Sequence, residues 1–447
     1  MKNHTLYIYN KTKDVLPILI CLLLAMAISG NIFAYQREMS PLGQSMAEED
    51  SVITDSLAEV MTDTLAEYAT DSLVNDSLPW PQSLQQNIAT IIEKSSFLTK
   101  SQLGLMVYDL TDDSVLYSHN HRQTLRPAST MKLITAITAL DKLGGSYQFK
   151  TSLRYTGTVI DSLRTLKGDV FLVGGMDPRF NRDDLLAFVE SLKSLGIDTI
   201  RGNIYVDRSI KDRDRLGEGW CWDDDNPVLT PTLYSRKDLL MEQFVMELGN
   251  AGIVFDGNMS DRTAPSSAKV VCVRTHSIDQ ILTKMMKDSD NLYAECMLYQ
   301  TALTHGRPAK ASGARAITQR LIRKMKLAPG DYKIADGSGL SLYNYVTAEL
   351  EVAFLKYAYE NSTIYNHLFT SLPVAGVDGT LAKRMKATKA ADNVRAKTGS
   401  LTGISSLAGY AKAANGHLLA FCIINQGVLR AAPAKAFQDK VCIALCR

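Results

Sequence analysis

The stretch Arg126-Pro127-Ala128-Ser129-Thr130-Met131-Lys132 decides how this chain is read. Proline is at home at the start of a helix. The run Met131, Leu133, Ile134, Ile137, Leu140 that follows has helical apolar periodicity, and Gly144-Gly145 ends it. Ser129 and Lys132 therefore share a helix face, about one turn apart. A serine hydroxyl becomes a useful nucleophile only with a base beside it, and Lys132 can be that base only when neutral. A free lysine titrates near about 10.4, so roughly three units of depression are needed, on the order of 4 kcal/mol. Burial beneath an apolar helix and a second nearby cation both act in that direction.

Two further motifs follow in order: Ser289-Asp290-Asn291 and Lys397-Thr398-Gly399. Ser-x-x-Lys recurs at Ser266-Ser267-Ala268-Lys269, and Ser-x-Asn recurs at Ser29 and Ser118, so neither is specific by itself. Order and local context discriminate. Helical periodicity is predicted from Asp279 through Ile281, Leu282, Met285 and Met286 and on past Asn291 to Leu298. Ser289 is a candidate proton relay, and Asn291 a candidate holder of Lys132 or of a substrate carbonyl. Lys397 is the candidate second cation; with the Thr398 hydroxyl it suits a terminal carboxylate. Gly399 is expected to let a substrate backbone approach closely. Backbone N–H groups of Ser129 and Ser400 are the natural oxyanion donors. Together these groups form an acyl-transfer set that needs no histidine.

Composition bounds the alternatives. The 447 residues suffice for more than one domain and a large core. With 49 basic and 47 acidic residues, the net charge of +2 argues against a nucleic-acid binder. No metal or cofactor is implied, and His119-x-His121 reads as solvated loop. Lys11 and Lys13 precede an apolar run from Val15 to Ile28 and then Ser29 to Ala34, the pattern of a signal peptide cut after Ala34. An uncleaved anchor is the alternative. Either way the protein is expected to be exported, to a periplasmic location. Beyond Cys21 the cysteines are Cys221, Cys272, Cys296, Cys422, Cys442 and Cys446, an even set that permits disulfides outside the cytoplasm. Cys296, Cys422 and Cys442 lie in apolar settings that suit buried thiols.

The expected organisation is a signal peptide (1–34), an acidic flexible linker (35–80) and a catalytic domain in two pieces (81–147 and 271–447). A mixed α/β domain (148–270) is inserted between the pieces. The linker repeats Asp-Ser/Thr-Leu at 55, 63, 71 and 76. Helices are predicted at 83–95, 314–325, 348–359 and 434–445. Strands are predicted at 103–110, 114–118, 149–155, 170–173, 202–206, 394–397, 404–411 and 417–424, with Asn415-Gly416 a hairpin turn. The terminal pieces thus suggest an α+β fold, an antiparallel sheet from both chain ends with helices packed on it.

These residues resemble the serine penicillin-recognising enzymes, and most closely the D-alanyl-D-alanine carboxypeptidase/endopeptidase family of class C low-molecular-mass penicillin-binding proteins. The likeness is carried by Arg126 to Lys132, Gly168-Asp169-Val170, Gly174 to Pro178, Gly219-Trp220, Trp222-Asp223-Asp224, Lys287 to Glu295, Asp336 to Ser341 and Arg395 to Leu401. It spans residues 83 to 447. The resemblance implies a β-lactamase/transpeptidase-like domain with a helical subdomain and an insert between the first two motifs. It implies cleavage of the terminal D-Ala of peptidoglycan stem peptides, and in many members of D-Ala cross-links, with β-lactams as covalent inhibitors at Ser129. The separation of Ser129 from Ser289 is shorter than in members with two inserted subdomains, so one of these is expected to be reduced or absent. The stretch from Asn226 to Asp238 also departs from the family's run. A serine β-lactamase and a non-catalytic cell-wall scaffold retaining the fold are the rival readings. The scaffold would be expected to have lost Ser129, Lys132 or Lys397, and all three are present.

Overall fold

The computed structural model describes residues 78–222 and 225–447. The expected signal peptide, nearly all of the expected linker, and Asp223 and Asp224 lie outside the described residues. Among the described residues no helix is long and apolar enough to cross a membrane.

The chain opens with helix α1 (Trp80–Glu93), the hairpin strands β1 (Gln102–Asp109) and β2 (Ser114–His119), and helix α2 (Met131–Leu143). Residues 148 to 277 then form β3 (Gln148–Tyr155), β4 (Thr158–Ile160), β5 (Thr165–Lys167), β6 (Val170–Val173), α3 (Arg182–Lys193), β7 (Thr199–Arg201) and β8 (Ile204–Asp207). They continue through α4 (Leu240–Asn250), β9 (Val254–Phe255), β10 (Met259–Asp261) and β11 (Lys269–Ser277). Five helices come next: α5 (Ile278–Lys287), α6 (Asn291–Leu303), α7 (Ala311–Lys324), α8 (Ala348–Glu360) and α9 (Ser362–Ser371). The chain closes with β12 (Arg395–Leu401), β13 (Gly403–Lys412), β14 (Leu418–Val428) and helix α10 (Ala431–Leu445).

The first sheet has the order β12-β13-β14-β1-β2 and is antiparallel throughout, joining both chain ends as expected. Alternation along its strands divides two cores. Leu103, Leu105 and Val107 of β1, with Leu419, Phe421 and Ile423 of β14, pack in one cluster with Leu84 and Ile88 of α1 and Phe437 and Val441 of α10. Met106, Ala420, Cys422 and Ile424 face the other way, into a cluster with α2, α5, α6 and α8. The segment from 148 to 277 builds two smaller mixed sheets, β10-β8-β6-β3-β11 and β4-β5-β7-β9, with their own core around Phe180, Phe188 and Phe244.

Several elements differ from the sequence expectation. The helix predicted to run past Asn291 is two helices, broken at Asp288-Ser289-Asp290. Ser289 sits in the left-handed region (φ 60°), and the Asp290 carboxylate accepts from Tyr293 N–H as the cap of α6. A short acidic side chain bonded to the backbone starts a new helix instead of continuing the old one. The amphipathic helices α3 and α4 went unread among the short β-like runs around them, although α3 opens with a capping box between Asn181 and Asp184. Helix α9 also went unread.

The six described cysteines are free thiols, with Cys296, Cys422, Cys442 and Cys446 buried, so the even count does not translate into pairs here. Denatured, unreduced protein treated with an alkylating reagent is therefore expected to be modified at all six, read by peptide mass spectrometry. Cross-linked peptides among them would contradict this packing.

Candidate active site

Helix α2 is preceded by a single 3-10 turn, Ala128–Thr130, that carries Ser129. Ala128 holds a positive φ of 49°, unusual for a residue with a Cβ. Its surroundings over-determine it. Gly339 (φ 82°) lies so close that a Cβ there would meet the Ala128 carbonyl oxygen at 1.8 Å. On the other side Thr130 Oγ1 donates to Pro127 O at 2.9 Å and Glu351 Oε1 lies 2.6 Å from it. The turn is thus clamped between the loop at 336–341, helix α8 and strands β12 and β13. Ser129 itself stays half-buried.

Lys132 is fully buried. Its Nζ lies 2.8 Å from each of three oxygens: Ser129 Oγ, Asn291 Oδ1 and the Ser338 carbonyl. Two of these can only accept, so each requires an N–H from the amine. A neutral amine has two such hydrogens and one lone pair. With both hydrogens committed to Asn291 and Ser338, the lone pair faces the Ser129 hydroxyl. Burial pushes the Lys132 amine down to about 8, against the opposing pull of the Asp336, Glu295 and Asp290 carboxylates.

Lys397, on edge strand β12, is also fully buried and donates to Ser289 Oγ and to the Thr398 carbonyl, each at 2.8 Å. Burial first, and then the Lys132 charge, push it well below the ordinary lysine range. Burial lowers both lysines, and repulsion between their ammonium groups disfavours a charge on both at once. The two hydrogen-bonded groups meet at Ser289-Asp290-Asn291, whose broken backbone aims Ser289 at one lysine and Asn291 at the other. Arg236 pairs with the intervening Asp290.

The remaining expected residues lie along β12. Thr398 is half-buried, with its Oγ1 2.8 Å from Thr380 Oγ1, and Ser400 is exposed. Gly399 also has a packing role. A Cβ there would lie 2.1 Å from Ser406 Oγ, 2.7 Å from Pro127 O and 3.0 Å from Ser129 N. The space a side chain would take on that side is filled by the protein's own turn. The glycine lets β12 press against the segment bearing Ser129.

Chemical reading of the motifs missed the acids and carbonyl behind the site. Glu295, one helical turn beyond Asn291, accepts from Gly337 N–H and from Ser338 N–H (2.8 Å), so it positions the carbonyl that takes a Lys132 hydrogen. Burial and then the Asp336 charge push Glu295 up to about 8. Asp336 accepts from Trp220 Nε1 and from the Gly339 and Ser341 N–H groups. Burial raises Glu351 to about 7. Both Glu295 and Asp336 sit inside the matching stretches quoted above. Glu351 carried no signal beyond being an acid among buried neighbours on α8.

The comparisons with known proteins bear on this arrangement. The model of the D-Ala-D-Ala carboxypeptidase 3 (S13) family matches residues 84–236 and 229–445. The chain belongs to that family. It is 24% identical to the D-alanyl-D-alanine carboxypeptidase DacB of Haemophilus influenzae, covering 78% of this chain and 90% of the relative. It is 27% identical to a D-alanyl-D-alanine carboxypeptidase of an Actinomadura species, covering 81% and 84%. The crystal structure of penicillin binding protein 4 (dacB) from Haemophilus influenzae superposes with a TM-score of 0.72 at 22% identity, over 79% of this chain and 98% of that one. The expected fold, a penicillin-recognising α+β domain carrying additional mixed sheets, is the observed one.

Gly399→Ala is expected to displace β12 from the Ser129 turn. We expect a thermal midpoint lower by several degrees, since a crowded substitution typically costs about 1–3 kcal/mol, and slower covalent labelling of the refolded variant. Unchanged stability and labelling would contradict the contact.

Proposed function

We propose that the protein is a serine D-Ala-D-Ala carboxypeptidase, with D,D-endopeptidase activity on cross-linked stems, acting through an acyl-enzyme on Ser129. The observation that carries this reading is the buried Lys132 amine, whose two carbonyl acceptors leave its lone pair for the Ser129 hydroxyl. In the forward step Ser129 Oγ bonds to the penultimate D-Ala carbonyl carbon as its proton passes to Lys132. N–H groups of Ser129 and Ser400 hold the oxyanion. Collapse breaks the carbon–nitrogen bond, Ser289 hands its proton to the departing D-Ala amine and takes up the one Lys132 received, leaving Lys132 neutral, and Lys397 with Thr398 binds the leaving carboxylate. Water then attacks the ester as its proton passes to Lys132, which returns it to Ser129 Oγ when the ester carbon–oxygen bond breaks. Gly399 serves by closing β12 onto the nucleophile. A β-lactam ring presents the same carbonyl and carboxylate, so penicillin acylates Ser129.

We place residues 81–147 and 271–447 as the catalytic domain and 148–270 as an insert. The N-terminal charged-then-apolar pattern supports export to the periplasm, where stem peptides are found.

A labelled penicillin is expected to add to the peptide containing Ser129, and Ser129→Ala to abolish the adduct; labelling of the alanine variant would overturn the assignment. Removing the base in Lys132→Gln should slow acylation by about 10²–10⁴-fold. Because the base works only when neutral, acylation should accelerate as pH rises and level off above about 8, the value to which burial brings Lys132. A rate that falls across that range would reverse the assigned proton direction.

A further inference from the structure

The motif Ser289-Asp290-Asn291 is braced by a residue from the segment between 148 and 277. Arg236 forms an ion pair with Asp290, and its guanidinium lies over the Tyr293 ring at 5.8 Å. Each oxygen of the Asp290 carboxylate has one task. Oδ1 accepts from Tyr293 N–H at 3.3 Å and so caps α6. Oδ2 accepts from Arg236 Nη1. The Asp290 side chain is only 9% exposed and that of Arg236 50%, so a carboxylate largely withdrawn from water relies on an arginine that reaches it from the solvent side. A charge in that position needs a partner.

A tight turn delivers this arginine. Tyr234 and Lys237 exchange two backbone hydrogen bonds, at 2.8 and 3.0 Å, around the loop Ser235-Arg236. Both loop residues take positive φ, 45° and 71°. A two-residue hairpin loop of this kind normally uses Asn, Asp or Gly there. A serine and an arginine persist in that region where the surroundings hold them. Ser235 N–H donates to the carbonyl of Phe180 in the core of the segment. Asp238, just past the turn, pairs with Arg208 and Arg215. The turn also lies in the stretch from Asn226 to Asp238 that departs from the family's run.

Ser289 is the residue that this brace steadies. It belongs to neither flanking helix and itself takes a positive φ of 60°. On its N-terminal side the end of α5 is fixed by Lys287, which donates to Leu372 O and pairs with Asp378. On its C-terminal side Asp290 is fixed by Arg236. Asn291 depends less on the ion pair. It lies inside α6, whose cap at Tyr293 N–H does not involve the arginine.

We propose that Arg236 is a positioning residue for proton delivery by Ser289: its ion pair with Asp290 sets the turn that aims the Ser289 hydroxyl at the leaving amine. The proposal rests on the reading of Ser129 and Ser289 above, and it gives the segment between 148 and 277 a part in the reaction.

The test compares two substrates on the full chain, a D-Ala-D-Ala peptide and the same acyl group carried as a thioester. An amine must gain a proton to leave, whereas a thiolate leaves without one. Arg236→Ala is therefore expected to lower kcat/KM for the amide by roughly 10–100-fold, the scale of a misplaced catalytic group, and for the thioester by less than about twofold. Arg236→Lys keeps a cation opposite Asp290 and should recover most of the amide rate. Arg236→Gln keeps the stem of the side chain and carries the same comparison if the alanine variant does not fold. An equal loss on both substrates, an unchanged amide rate, or a lysine variant as slow as the alanine variant would overturn the positioning role. A wild-type protein that cleaves neither substrate would instead overturn the reading of Ser129, so the two failures are distinguishable.

Discussion

One hydrogen-bonded amine organises this molecule. Lys132 Nζ is held by an amide oxygen from α6, a backbone carbonyl from the loop before α8, and the hydroxyl of its own helix turn. Each partner comes from a different stretch of chain, so the sheet, the helical layer and the loop at 336–341 must all be in place before the lysine can be buried. Burial disfavours the ammonium, and the fixed carbonyls decide where the lone pair of the neutral amine points. Stability and chemistry therefore draw on the same contacts. Glu295 and Asp336 show the cost of this arrangement. They are buried acids retained behind the site because they anchor the N–H groups of the loop that supplies Ser338 O.

The backbone bears part of the strain. Ala128 and Ser289, each next to a chemically important position, both take positive φ. Neither is a glycine, and such residues persist where the surroundings over-determine them. Gly339 and Gly399 make that possible from either side of the Ser129 turn by giving up the volume of a side chain. Gly339 and Gly399 thus act as packing devices for the turn that carries Ser129.

Much of this was legible in the sequence, and the gaps have physical causes. Candidates for the nucleophile, base and relay could be named because hydroxyls and amines at fixed spacing are chemically distinctive. The central sheet could be assembled because its strands alternate and Asn415-Gly416 marks the hairpin. The break at Ser289 was invisible to periodicity, since apolar residues continue at helical spacing on both sides of it. The packing role of Gly399 is not visible in the sequence, because its neighbours Ser406 and Pro127 are brought to it only by the fold. Glu295 and Glu351 act through backbone groups and a threonine hydroxyl, contacts made only by tertiary packing.

The central claim is that the Lys132 amine is mostly deprotonated under mildly alkaline conditions in the resting protein. Titration of the protein labelled with carbon-13 at lysine Cε, with the Lys132 resonance assigned by its loss in Lys132→Gln, tests this without any substrate. The account predicts a midpoint near 8, to which burial brings this group. A midpoint close to the ordinary lysine value of about 10.4 would contradict it.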